Sequence, residues 1–163
     1  MRVMDSALAM IDTQSDIEAL YRADADRLWR SVFAFAGDAD VASDAVAEAY
    51  AQLLHRGGEV RDPAAWVWRA AFRISRGALK ARRMNSALSW TLPEHPDAYA
   101  DHDLLDAIRQ LPQGQRAAVV LFYYADLPIR QIADRLGTNG LAVRANLSRS
   151  RRRLRQLLGD QDG

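Results

Sequence analysis

The sequence predicts an all-α protein of two small helical domains joined by a linker, the second domain carrying a helix-turn-helix. Three observations predict it. Apolar residues recur at helical spacing along nearly the whole chain, and no stretch alternates with period two, so helices are expected and a sheet is not. A polar, proline-containing stretch at 84–101 separates two halves that each have an apolar periodicity. The charge also changes sign along the chain: residues 1–55 carry net −6, 56–90 net +6, 91–126 net −4 and 127–163 net +5.

Each element has a local reason. A first helix is expected over 15–35, with Ile17, Leu20, Tyr21, Leu28 and Val32 on its apolar face and Gly37-Asp38 breaking it. A second, capped by Asp40, is expected to run to about residue 55 on Val41, Ala45, Ala49, Leu53 and Leu54. Gly57-Gly58 ends it, because glycine accepts the left-handed backbone at a helix C-terminus. Asp62-Pro63 opens a third, Asp as cap and Pro in the first turn, reaching about residue 83. These three make a domain over 1–83. The linker over 84–101 could span roughly 60 Å when extended. The second domain, 102–163, opens with a short helix near Leu104, Leu105 and Ile108 that Pro112 closes. Helices over 113–124, 129–136 and 141–158 follow.

The run from Pro128 to Arg144 carries the sharpest local signal. Ala133 is small where two helices must cross closely. Gly137 lies four residues on, where the turn needs an unusual backbone angle, and Val143 lies six further, pointing back to the core. A DNA-binding helix-turn-helix requires this spacing. On the last helix Val143, Leu147, Ser150, Leu154, Leu157 and Leu158 form one stripe. The candidate DNA-reading residues are Ala142, Arg144, Ala145, Asn146, Arg149, Arg152 and Arg153. Small residues allow approach to base edges, Asn and Arg can read them, and the later arginines suit phosphates.

Two further stripes stand out. Arg69, Arg73, Arg76 and Lys80 fall within roughly 60° of one another on the third helix, opposite Val67, Ala71, Ile74 and Ala78. A cationic row without a matching acidic row suits a nucleic-acid backbone. Trp66, Trp68 and Phe72 beside it are candidates for stacking on an unpaired base. On the second helix Asp44, Glu48 and Gln52 repeat every four residues away from the apolar face, a pattern that can dock on a basic protein surface.

The chain resembles the extracytoplasmic-function sigma factors, the minimal members of the sigma-70 family. In the C-terminal half the resemblance lies in Leu111-Pro112, Arg116, Ile132-Ala133, Leu136-Gly137, Val143-Arg144, Leu147, Arg149, Arg151 and Leu154. In the N-terminal half it lies in the run from Ser43 to Tyr50, then Pro63, Trp66-Val67 and Arg82-Arg83. It covers roughly residues 15–158. The resemblance implies a subunit that directs core RNA polymerase to promoters, with no catalytic residue, cofactor or metal of its own. It implies that Asp44, Glu48 and Gln52 dock on core polymerase, that Trp66, Arg69, Arg73, Arg76 and Lys80 face the −10 element, and that the last helix reads the −35 element. The loop from Gly57 to Asp62 would help choose a flipped base. An anti-sigma protein is a further partner that the resemblance allows. Ala142 and Ala145 stand where the family usually has Thr and Ser, so its −35 sequence does not carry over.

Other classes fare worse. The absence of cysteine excludes a disulfide scaffold and a thiolate metal site, and fits a cytoplasmic chain. No apolar run reaches the roughly 20 residues of a membrane span. His55, His95 and His102 are scattered, and no phosphate loop or nucleophile elbow is present, which argues against an enzyme. A stand-alone helix-turn-helix regulator is the principal alternative; such proteins usually dimerise on a palindrome.

Overall fold

The computed structural model describes residues 2–84 and 102–159. Among them every regular element is helical. The linker expected over 84–101 lies, apart from Met84, outside the described residues.

The N-terminal unit is built from α1 (Arg2–Ala36), α2 (Ala39–Arg56) and α3 (Pro63–Met84), with a short 3₁₀ turn at Gly57–Glu59. Helix α1 starts much earlier than the expected residue 15. Residues 2–14 contain no glycine or proline and are rich in Ala, Leu and Met, so nothing stops the helix from running on. This extension buries little: Val3, Met4, Leu8 and Met10 are all exposed. The core begins at Ile17 and continues through Leu28, Val32 and Phe35.

Gly37 ends α1 with a left-handed backbone (φ 70°). Asp38, rather than the expected Asp40, then caps α2: its backbone is extended and its carboxylate accepts the Val41 N–H at 3.0 Å. Such a cap contributes about 1 kcal/mol. Burial works against the charge on Asp38, but the Val41 N–H and the Arg82 guanidinium outweigh it and hold the carboxyl below its ordinary range. The Arg82–Asp38 ion pair ties the end of α3 to the start of α2. Asp62 caps α3 as expected, accepting the Ala65 N–H at 3.1 Å. Phe35 and Phe72 meet at 5.3 Å between centroids, so α1 and α3 close over α2 with aromatic packing between them.

The C-terminal unit comprises α4 (His102–Arg109), α5 (Gln113–Val119), α6 (Ile129–Leu136) and α7 (Gly140–Gly159). The helix expected over 113–124 is continuous in space, but Val120–Tyr124 widens into a π-helical turn. There Ala125 N–H bonds to the Val120 carbonyl at 3.0 Å, five residues back. Ser150, fully buried, places its hydroxyl within reach of the Asn146 and Gln115 carbonyls, fastening α7 to α5.

The two units share one hydrophobic core rather than standing apart. The C-terminal unit rests on α1 and α3 through the π turn and α6, and Arg116 of α5 lies over Phe35 of α1.

Candidate nucleic-acid interface

The turn between α6 and α7 is built as its sequence requires. Gly137 adopts the left-handed conformation (φ 67°, ψ 37°), and its N–H and that of Thr138 close back on the Ala133 carbonyl. Asn139 then caps α7, its side chain accepting the Ala142 N–H at 2.9 Å. Ile132, Val143 and Leu147 are buried, so α7 cannot roll about its axis without exposing apolar surface. The face left outward carries Arg144, Arg149, Arg152 and Arg153, all exposed, with Ala142, Ala145 and Asn146 half-buried among them. Asn146 sits beside Gly114 of α5, where a Cβ would stand 3.6 Å from its side-chain nitrogen.

The α3 stripe divides into parts. Arg69, Arg73 and Lys80 are exposed, while Arg76 is half-buried. The Arg76 Nε is enclosed without a hydrogen-bond partner, and burial lowers the guanidinium's affinity for its proton. Arg69 is engaged: its Nε donates to the Asp134 carbonyl at 2.9 Å, and a second guanidinium nitrogen donates to the same oxygen. Of the aromatics, only Trp66 is available to a ligand. It is half-buried beneath the Arg56 guanidinium, 5.7 Å from the ring centroid. Trp68 and Phe72 are core residues, at 0% and 1% exposure. They alternate with the basic stripe in sequence but point inward, where the Trp68 N–H donates to Asp24 at 2.6 Å.

Trp66 and Arg69 also line a recess of about 400 Å³ with Arg56, Glu59, Val60 and Asp62. Arg56 was not legible as a site residue, since it falls in the last turn of α2, where a cation also suits the helix dipole. On α2, Asp44 and Glu48 are exposed one turn apart, and Gln52 is half-buried and donates to Glu48 at 2.9 Å.

Four arginines lie between the units, three of which periodicity could not assign. Arg27 donates to the Ala125 carbonyl, and Arg116, only 2% exposed, lies 5.0 Å over Phe35. Arg135 lies 4.5 Å over Trp68, and Arg69 is the fourth. Among the described residues no group of three or more His, Asp or Glu could hold a metal ion, and no helix is long and apolar enough to cross a membrane.

A helix-turn-helix with a locked inner face and an arginine-rich outer face defines a DNA-reading protein. Comparison with known proteins narrows that class. Residues 101–154 match the family model for sigma-70, region 4. The RNA polymerase sigma factor SigV of Bacillus subtilis (strain 168) is 28% identical over 142 residues, covering 82% of this chain and 86% of that protein. Among solved structures, the sigma factor RpoE from Bartonella quintana, seen with the anti-sigma factor NepR, has a TM-score of 0.74 at 18% identity. The match covers 88% of this chain and 97% of that one. CnrH, seen with the cytosolic domain of CnrY, has a TM-score of 0.73 at 20% identity, covering 96% of each chain. These structural likenesses establish the fold. The region 4 match, the similarity to SigV and the shared fold together identify an RNA polymerase sigma factor that works with core polymerase on promoter DNA. Sigma factors are not, in general, enzymes.

Proposed function

We propose that the two basic helices divide promoter recognition between them, α7 reading the −35 element and α3 the −10 element. The observation that carries this reading is the outer face of α7. Arg144 and Arg149 project from its first half between the small residues Ala142 and Ala145, while Val143 and Leu147 anchor the opposite face. Small side chains let a helix approach base edges closely; Asn146 and Arg149 supply the hydrogen-bonding groups. Arg152 and Arg153 fall further along, toward phosphates, where they fix register without specifying sequence. On α3, Arg69, Arg73, Arg76 and Lys80 would run along the backbone near the −10 element. Trp66 and the recess beside it would receive an unstacked base.

In this reading residues 1–83 form the core-polymerase and −10 domain, 84–101 the linker and 102–163 the −35 domain. Asp44 and Glu48, with Gln52 behind them, form the acidic surface that meets core polymerase. Their exposure and shared face support that role. The chain works in the cytoplasm and performs no catalysis itself; the chemistry of RNA synthesis belongs to the polymerase. An anti-sigma protein regulates it, a reading supported by the structural neighbour RpoE, seen with the anti-sigma factor NepR.

Run-off transcription with purified core polymerase tests the division of labour. Addition of the chain is expected to yield transcripts from a restricted promoter set, and altered α7 and α3 residues to shift −35 and −10 preferences separately. Tight binding to palindromic DNA without polymerase, and no transcript with it, would overturn the reading.

A further inference from the structure

We propose that Leu141, with Ala145 beside it, reads the 5-methyl group of a thymine in the −35 element, which makes it a specificity-determining residue of α7. The inference rests on the assignment of α7 to that element made above.

Leu141 is 77% exposed, the most exposed large apolar side chain of the C-terminal unit among the described residues. A lone exposed leucine is common on protein surfaces; what sets this one apart is its place. Asn139 caps α7 by accepting the Ala142 N–H, so Leu141 falls in the first turn. The leading residues of a recognition helix are the ones that meet base edges. Leu141, Ala145 and Arg152 lie within roughly 40° of one another around the helix. Val143, Leu147 and Ser150, on the opposite side, are buried. The leucine therefore stands on the midline of the outward face, at its leading end.

The side chains around it settle the chemistry. Leu141, Ala142 and Ala145 are neighbours on this side of α7, and none carries a hydrogen-bonding atom. A base edge of donors and acceptors pressed against them would lose water without gaining a partner, which costs free energy. The thymine methyl is the apolar group that the major groove displays. Packing it on Leu141 removes apolar surface from water on both partners. Ala145, one turn on, is short enough to let the helix come close, so the leucine reaches the base edge rather than stopping at the groove wall.

The surrounding cations decide what covers the patch. Arg144, Arg149, Arg152 and Arg153 are all exposed. The Arg144 guanidinium reaches back to the start of α7, its Nη1 lying 3.6 Å from where a Cβ on Gly140 would stand. An apolar protein surface seated on Leu141 would have to strip water from these guanidiniums without neutralising them. Duplex DNA neutralises them with phosphates and presents its methyl groups in the same groove.

Holoenzyme assembled from core polymerase and the full chain provides the test. It is bound in competition to fragments of a mapped promoter whose −35 thymines are replaced one at a time by deoxyuridine, with the −10 element unmodified. Deoxyuridine keeps the base pair and removes only the 5-methyl. At one position the change is expected to weaken binding about fourfold, the worth of one buried apolar carbon. Leu141→Ala is expected to weaken binding to the thymine fragment and to abolish the deoxyuridine effect, so the two changes are not additive. At the same position 5-methylcytosine should bind about fourfold better than cytosine with the unaltered chain, and no better with Leu141→Ala. Circular dichroism checks that the variant keeps its helicity. A −35 element without an A·T pair, a deoxyuridine series flat at every position, or a deoxyuridine loss that persists in Leu141→Ala overturns the assignment. Arg149→Ala separates failure of the underlying reading. If it leaves binding unchanged, α7 does not read the element and the thymine contact falls with it. If it weakens binding, α7 faces the element, and a flat series then counts against Leu141 alone.

Discussion

Replacing Gly137 by alanine isolates the backbone cost of the helix-turn-helix. The residue sits at φ 67°, ψ 37°. An L-residue there brings its Cβ against the following carbonyl oxygen, at a cost of roughly 1–2 kcal/mol. The added methyl meets little else, since the nearest heavy atom is Arg69 Nε at 4.0 Å. Alanine also restricts the unfolded chain, which returns about 0.4–1 kcal/mol in other contexts. The net expectation is a loss of about 1 kcal/mol, a fall in Tm of roughly 2–8 °C depending on how much of the chain melts together. Gly137→Asn should lose less, because asparagine tolerates the left-handed region, and Gly137→Val more, because a β-branched side chain does not. Urea titrations followed by far-UV circular dichroism measure all three. An order in which valine is as stable as asparagine, or alanine as stable as glycine, refutes the argument that backbone angle sets the requirement.

Arg149→Ala is expected to weaken −35-dependent transcription by about 1–3 kcal/mol at the base it reads and to relax preference there; an unchanged promoter profile removes Arg149 from the reading face. Asp44→Arg with Glu48→Arg should abolish retention on core polymerase in a pull-down while leaving the circular dichroism spectrum intact, and a retained mutant would rule out that docking surface. The Tyr50 hydroxyl is buried without a partner, and burial, reinforced by Asp24 and Tyr21, pushes its pKa up to about 12. The folded state therefore favours the neutral phenol: its contribution is fully present below the ordinary value near 10 and is lost as pH climbs to about 12. Tyr50→Phe should flatten this alkaline loss of stability and cost little near neutral pH, and an unchanged alkaline slope in the mutant would place its cause elsewhere.

Several features were legible because their causes are local. Gly137, Ala133 and Val143 announce the helix-turn-helix, and the helix expected over 129–136 is found at those residues, as α6 (Ile129–Leu136). Asp62-Pro63 likewise marks the start of α3, since cap and first turn are neighbours in the chain. Local rules erred where two candidates competed. Asp38 and Asp40 could each cap α2, and only the backbone angle after Gly37 selects Asp38. The α1 extension was missed because it has helical propensity without a buried face to mark it.

Trp66 and Trp68 show the boundary between local and tertiary information most sharply. They lie two residues apart, about 200° around a helix, so periodicity requires them to face differently but does not say which is useful. The structure buries Trp68 and leaves Trp66 on the recess. Arginine poses the same problem in a stronger form. Its charge marks it as exposed in any pattern reading, yet its long apolar stem and planar head let it stack on a buried ring. Arg116 and Arg135 do so, over Phe35 and Trp68.

Sequence alone determined the helical class, the helix-turn-helix turn and the alternation of acidic and basic segments, because each depends on residues within one or two turns of each other. Tertiary structure decided which arginines face outward and how the C-terminal unit sits on α1 and α3. Those outcomes depend on partners far apart in the chain, Arg69 with Asp134 and Arg27 with Ala125, whose meeting no local periodicity encodes.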